Sequence, residues 1–145
     1  MIDRFGSQRV KEKYLPRLVG MEWMSSYCLT EPSSGSDAAA LKTKAVKDGD
    51  DYVVSGSKAF TSGGGANDLM VAMVRTGGEG PKGISCLVIE KAMKGVSFGA
   101  QERKLGWHSQ PTAQVNFDEV RVPRENLVGG EGEGFRIAMM GLDGG

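Results

Sequence analysis

Tyr27-Cys28-Leu29-Thr30-Glu31-Pro32-Ser33-Ser34-Gly35-Ser36-Asp37 is the stretch on which the reading of this chain turns. An apolar run ends on the hydroxyl of Thr30. The acid–proline pair Glu31-Pro32 then turns the chain. A Ser/Gly loop follows and offers backbone N–H groups and hydroxyls together, with no lysine among them. That combination suits a flat, hydrogen-bonding ring followed by phosphates. One loop further on stands a second signal, Phe60-Thr61-Ser62-Gly63-Gly64.

Outward from these two motifs the chain reads as short strands. Val-, Ile-, Tyr- and Phe-rich runs at residues 23–29, 43–47, 52–60, 69–75, 84–90, 96–103 and 114–122 are separated by Gly and Asp. Asp48-Gly49-Asp50 reads as a hairpin turn, and Gly77 to Gly83 as a longer, flexible loop. The spacing predicts a mainly β fold, a six- to eight-stranded antiparallel barrel-like sheet, with a helical segment at each end. Ser7 is placed to cap a helix from Gln8 to about Leu18, in which Val10, Tyr14 and Leu18 recur at helical spacing. Pro16 should kink or end it, and Gly20 should stop it. After the glycine-rich run 129–134, Phe135 to Leu142 reads as an apolar helix with nothing beyond it to pack on.

The 145 residues are enough to bury about two-thirds of the unfolded surface. The 22 glycines, beside only 5 prolines, indicate many tight turns. With 18 basic and 18 acidic residues and no basic cluster, neither nucleic acid nor an anionic membrane is an expected partner. No apolar run is long enough to span a bilayer, and the start lacks a targeting segment. Cys28 and Cys86 sit in apolar runs and read as small buried hydrophobes in a reducing compartment. His108 is the only histidine, so neither a zinc site nor a Ser-His-Asp triad is supported.

Taken together, the two motifs, the Gly132-Glu133-Gly134-Phe135 turn and the Tyr14-Leu15-Pro16 end of the first helix resemble the acyl-CoA dehydrogenase family. The loop departs from the family pattern at Ser33, where glycine is usual; if that position needs a positive φ, a Cβ there strains the loop. The resemblance implies three parts: residues 1–22 as the end of an N-terminal helical domain, 23–127 as the FAD- and acyl-CoA-binding β-domain, and 128–145 as the start of a C-terminal helical domain. It also implies a fragment that lacks the catalytic base, since most members carry that glutamate on the C-terminal helical domain. Arg75-Thr76-Gly77-Gly78, Lys82 to Cys86, Gly106 to Thr112 and Gly141 to Gly145 resemble members acting on short branched acyl thioesters, as in valine degradation.

Each candidate site residue has a plain reading beside the one the resemblance implies. Tyr27, Leu29 and Thr30 could be a sheet terminus; the resemblance gives them the pyrimidine edge of an isoalloxazine ring. Ser34, Gly35 and Ser36 could be a surface turn; the resemblance implies phosphate contacts, with Ser36 on the CoA part of the substrate. Phe60 could be core, the commoner fate of a strand phenylalanine; the resemblance stacks it on the flavin. Ser62 is implied near flavin N5 and O4, and Thr61 replaces the more usual isoleucine. Lys82 reads as solvated, with a CoA phosphate as the minor alternative, and His108 as a solvated loop residue. The parent activity implied is FAD-dependent α,β-desaturation of an acyl-CoA by a homo-oligomer that passes electrons to an electron-transferring flavoprotein, in a bacterial cytoplasm or the mitochondrial matrix. The rivals are a flavin monooxygenase or acyl-CoA oxidase on the same scaffold, and a non-catalytic β-domain used for interaction.

Overall fold

The computed structural model describes residues 1–143. Gly144 and Gly145, which end the Gly141–Gly145 stretch, lie outside the described residues. The chain opens with helices α1 (Ile2–Phe5) and α2 (Gln8–Val19). The Ser7 hydroxyl accepts from the Val10 N–H at 3.3 Å and caps α2. Pro16 does not end the helix, which runs on to Val19 with Gly20 as its stop. The bond that proline removes would have gone to the carbonyl of Glu12. Glu12 and Pro16 both lie on the exposed face, so water can take that carbonyl. Val10 and Tyr14 face inward, and the Tyr14 hydroxyl donates to Glu90 at 2.8 Å.

Eight strands follow: β1 (Ser25–Cys28), β2 (Lys44–Asp48), β3 (Asp51–Ser62), β4 (Leu69–Arg75), β5 (Ile84–Glu90), β6 (Val96–Gln101), β7 (Thr112–Pro123) and β8 (Leu127–Val128). Helix α3 (Gly134–Asp143) closes the described chain. The fold is mainly β with helices at its ends, as the strand spacing predicts. Only β8 falls outside the predicted runs, because two residues show no period. The strands pair in the order β6-β7-β3-β2-β4-β5-β8, with β1 added beside β4. The end strands β6 and β8 are not bonded to each other, so the curved sheet is not closed into a barrel. Nor is it wholly antiparallel. β1 runs parallel to β4, and β2 meets β4 in parallel at Lys44 and Arg75.

β4 and β5 explain the layering. Both are buried on both faces, which is why they read as continuous apolar runs. Leu69, Val71, Met73, Ile84 and Val88 pack with Val10, Tyr14, Ile137 and Ala138 of the helices. Met70, Ala72, Val74, Leu87 and Ile89 pack against Tyr52, Val54, Val115 and Val120, where the sheet bends over itself. Cys28 and Cys86 are free and belong to opposite faces. Burial pushes both thiols up to about 12, so they are inert packing groups.

Two of the glycine-containing connections between these strands are those the sequence marks as a turn and a loop. The β2–β3 hairpin pairs Asp48 with Asp51 across Gly49, whose φ of 61° favours glycine. The glycine-rich segment after β4 is pinned rather than loose. The Arg75 guanidinium donates to the carbonyls of Ala39, Leu41, Gly78 and Gly80.

α3 starts where only glycine fits. A Cβ at Gly134 would come 2.4 Å from the Ser85 carbonyl carbon in β5. Gly134→Ala should therefore push α3 off the sheet and lower stability by about 1–3 kcal/mol, as overpacking does. Urea denaturation of the variant beside the wild type reads this directly.

Candidate functional site

β1 ends at Cys28, and the chain leaves the sheet through Leu29 and Thr30. Glu31 to Ser34 then close a turn: the Ser34 N–H donates to the Glu31 carbonyl at 3.1 Å, and the reverse bond is 2.9 Å. Ser33 sits third in this turn and is not among the positive-φ residues. The strain its Cβ would bring in a left-handed turn is therefore absent. Ser34 is buried, and its hydroxyl donates to the Asp37 carbonyl at 2.6 Å. That corrects the expectation that Ser34 offers its donors to a phosphate, since both hold the turn. Gly35 and Ser36 are left at the surface, and a Cβ on Gly35 would meet nothing within 4 Å.

The second motif lies in a β-bulge. The β3–β7 register shifts between Lys58 and Thr61, so Ala59 and Phe60 fall out of the ladder. Phe60 takes a φ of 52° and is 68% exposed. A bulky residue in left-handed backbone costs about 1–3 kcal/mol and persists only where the surroundings impose it. Part of that imposition is visible: the Ala59 N–H donates to the Thr30 carbonyl at 2.8 Å, which ties the two motifs together.

Under this tie lies an ion pair that sequence reasoning missed. Lys58 is fully buried, and its Nζ donates to Glu31 Oε1 at 2.8 Å and to the Leu29 carbonyl at 3.2 Å. The Glu31 carboxylate also accepts from the N–H groups of Lys42 at 2.6 Å and Thr43 at 2.9 Å. Burial pushes the Glu31 carboxyl up, but the Lys58 ammonium and the N–H donors outweigh it and hold the group below the ordinary range. For Lys58 burial dominates and pulls the ammonium down, against the opposing pull of Glu31.

Above the pair opens a cavity of about 560 Å³. Tyr27, Leu29, Thr30, Gly35, Ser36, Phe60 and Ser62 all line it, so seven of the eight candidate site residues meet in one place. Thr61 does not. The bulge turns it inward, where it is buried with its hydroxyl 3.8 Å from Cys28 Sγ. The opposite wall is Phe135, Met139 and Leu142 of α3. The Tyr27 hydroxyl donates to the Ala138 carbonyl at 3.3 Å and joins wall to floor. Burial raises that phenol to about 12, so it stays neutral. Asp37 is the one carboxylate among the lining residues; neither it nor the α3 wall was foreseen as part of the site. The apolar spacing of α3 was visible, but not what it would face. A second cavity of about 550 Å³ shares Asp37 and Ala39 with the first and is bordered by Lys42, Lys44 and Arg75. Lys82 is exposed, and His108 is an exposed loop residue close to the Leu105 carbonyl. Among the described residues no cluster of His, Cys, Asp and Glu could hold a metal.

Residues 26–120 match the family described as acyl-CoA dehydrogenase, middle domain. The mitochondrial isobutyryl-CoA dehydrogenase of Dictyostelium discoideum is 58% identical over 146 residues, covering 100% of this chain and 35% of that protein. The Bos taurus protein of the same name is 57% identical, again over 100% of this chain and 35% of its own length. The structure of butyryl-CoA dehydrogenase from Megasphaera elsdenii superposes with a TM-score of 0.96 at 41% identity, covering 99% of this chain and 38% of that one. The chain thus spans about a third of the length of the curated relatives it matches.

The lowered Glu31 carboxyl makes stability depend on pH. Its contribution is complete above the unfolded-state value of about 4.3 and is lost as pH falls through the lower folded value. The urea midpoint should fall on acidification below about pH 4.3. Glu31→Gln should weaken that dependence when the two titrations are compared, the remainder coming from carboxyls such as Glu90 and Glu131 that are also held low.

Proposed function

The chain belongs to the acyl-CoA dehydrogenase family, and on that premise we propose that it is the cofactor- and thioester-facing β-domain of an FAD-dependent dehydrogenase that desaturates a short branched acyl-CoA such as isobutyryl-CoA. Residues 1–22 and 128–145 are then the adjoining ends of two helical domains. The observation that carries this reading is the convergence of both motifs on one cavity.

The residues present fit the group. A flat ring needs an apolar surface to lie on, and Phe60 presents one into the cavity in a conformation its side chain would not otherwise choose. The ring edge needs donors, and Thr30 and Ser62 bring hydroxyls to the same wall. When bound, the flavin supplies the acceptor for the β-hydride. Thr30 and Ser62 then place donor hydroxyls where negative charge develops. Leu29, Phe135 and Met139 exclude water from that side. Ser36, at the cavity rim, bonds the CoA part and fixes the acyl end. By the resemblance to the family, the α-proton goes to a glutamate of the C-terminal helical domain; Asp37, the one carboxylate lining this cavity, is exposed. Electrons leave to an electron-transferring flavoprotein, and the full enzyme is a homo-oligomer. The mitochondrial names of two relatives and the bacterial sources of two others support a mitochondrial matrix or bacterial cytoplasmic setting. No helix of the described residues is long and apolar enough to cross a membrane.

FAD titration of the purified chain, followed by flavin fluorescence beside circular dichroism, tests the reading. A β-rich spectrum with micromolar or weaker FAD binding is expected, since the cavity is open on one side. Anaerobic isobutyryl-CoA should leave bound flavin unbleached; bleaching would make Asp37 the base. Failure to bind FAD at all would favour a non-catalytic β-domain.

In a full-length context, Ser36→Ala should weaken acyl-CoA binding by about 0.5–1.5 kcal/mol, as for one lost hydrogen bond, with less change in flavin content. Loss of flavin with acyl-CoA affinity intact would remove Ser36 from the substrate site.

A further inference from the structure

We propose that Glu31 and Lys58 are positioning residues for the cavity, fixing the spacing of Thr30 against Phe60, and that this is what the buried pair contributes beyond the fold. The role assigned to Phe60 and Thr30 toward a flavin rests on the proposed FAD-dependent function.

Neither Glu31 nor Lys58 is among the residues lining this cavity, yet the pair bonds to segments on both sides of it. Lys58 is followed directly by Ala59 and Phe60, and its ammonium holds the Leu29 carbonyl. One residue along on each segment, the Ala59 N–H holds the Thr30 carbonyl. Two successive bonds therefore stitch 29–30 to 58–59. This stitch is placed where the regular ladder fails, for β3 and β7 lose register between Lys58 and Thr61. Nothing in that ladder can orient Phe60 there. The carboxylate passes the restraint to a third segment, through the N–H groups of Lys42 and Thr43 at the entry to β2.

Energetics favour geometry over stability as the role. Two charges removed from water recover their desolvation only with complete hydrogen bonding, and an apolar pair of similar volume commonly serves a fold as well. An apolar pair could not hold two carbonyl-bearing segments at a set distance. Phe60, in left-handed backbone and exposed, depends on such a restraint.

The test uses the full chain with Glu31→Gln and Lys58→Met combined, which leaves no unpaired buried charge. Amide hydrogen exchange, thermal melting and FAD titration are measured on it and on the wild type. The expected result is exchange about tenfold or more faster at residues 29–30 and 59–62, with β4 and β5 amides unchanged. Tm should stay close to the wild type, and FAD affinity should fall about tenfold or more. Unchanged exchange at 59–62 overturns the proposal, as does faster exchange there with FAD affinity unaltered. Should the double variant unfold, Glu31→Asp takes its place with the same readouts, and unchanged local exchange in it overturns the proposal equally. If the wild type takes no FAD, the flavin reading fails, while the exchange comparison still decides whether the pair positions the segments.

Discussion

A lysine ammonium and a glutamate carboxylate, both taken out of water, set the terms for the region around them. Neither can be left short of partners, because an uncompensated buried charge destabilises by about 3–5 kcal/mol. The chain answers by bringing three segments to them: the exit of β1, the entry of β2 and the interrupted middle of β3. The turn at Glu31 to Ser34 has its shape because Glu31 must point inward while Gly35 and Ser36 stay at the surface. A polar requirement deep in the fold thereby dictates the form of an outer loop. Arg75 does the same on the far side of that loop, drawing together the carbonyls of Ala39, Leu41, Gly78 and Gly80.

The apolar part of the fold supplies the frame for this arrangement. β4 and β5 separate two cores, one shared with the helices and one inside the bent sheet. β1 joins β4 in parallel, and at its C-terminal end Cys28 and the following Leu29 belong to opposite cores. α3 packs within the first of these cores, held by the close approach of Gly134 to Ser85. The cavity lies where these meet, with strand ends for its floor and a helix for its wall.

The strands were legible because their runs carry a clear period, and β4 and β5 because unbroken apolar sequence marks burial on both faces. The helix cap at Ser7 and the stop at Gly20 were equally plain. Less legible was the bulge. Tyr52, Val54 and Lys58 share one phase of β3, and Phe60 would continue it inward; the shift before Thr61 turns Phe60 out and Thr61 in. The same phase was the one available sign that Lys58 is buried. A lone lysine in a strand otherwise reads as solvated, and Glu31 beside a proline reads as a turn residue. Their pairing joins positions 27 residues apart and has no local signature. Most of the candidate site could be named because its motifs are local, whereas the α3 wall depends on long-range packing.

The bond from Tyr27 to Ala138 spans 111 positions in the chain. In a protein made from its N-terminus, the cavity floor leaves the ribosome long before the helix that walls it. The wide separation of such contacts also slows folding, since the loop must close before the contacts reward it. For that interval Phe60 and the strand ends around it stand without their wall, so the stretch of synthesis from β3 to α3 is when this chain is most open to aggregation, or to a chaperone.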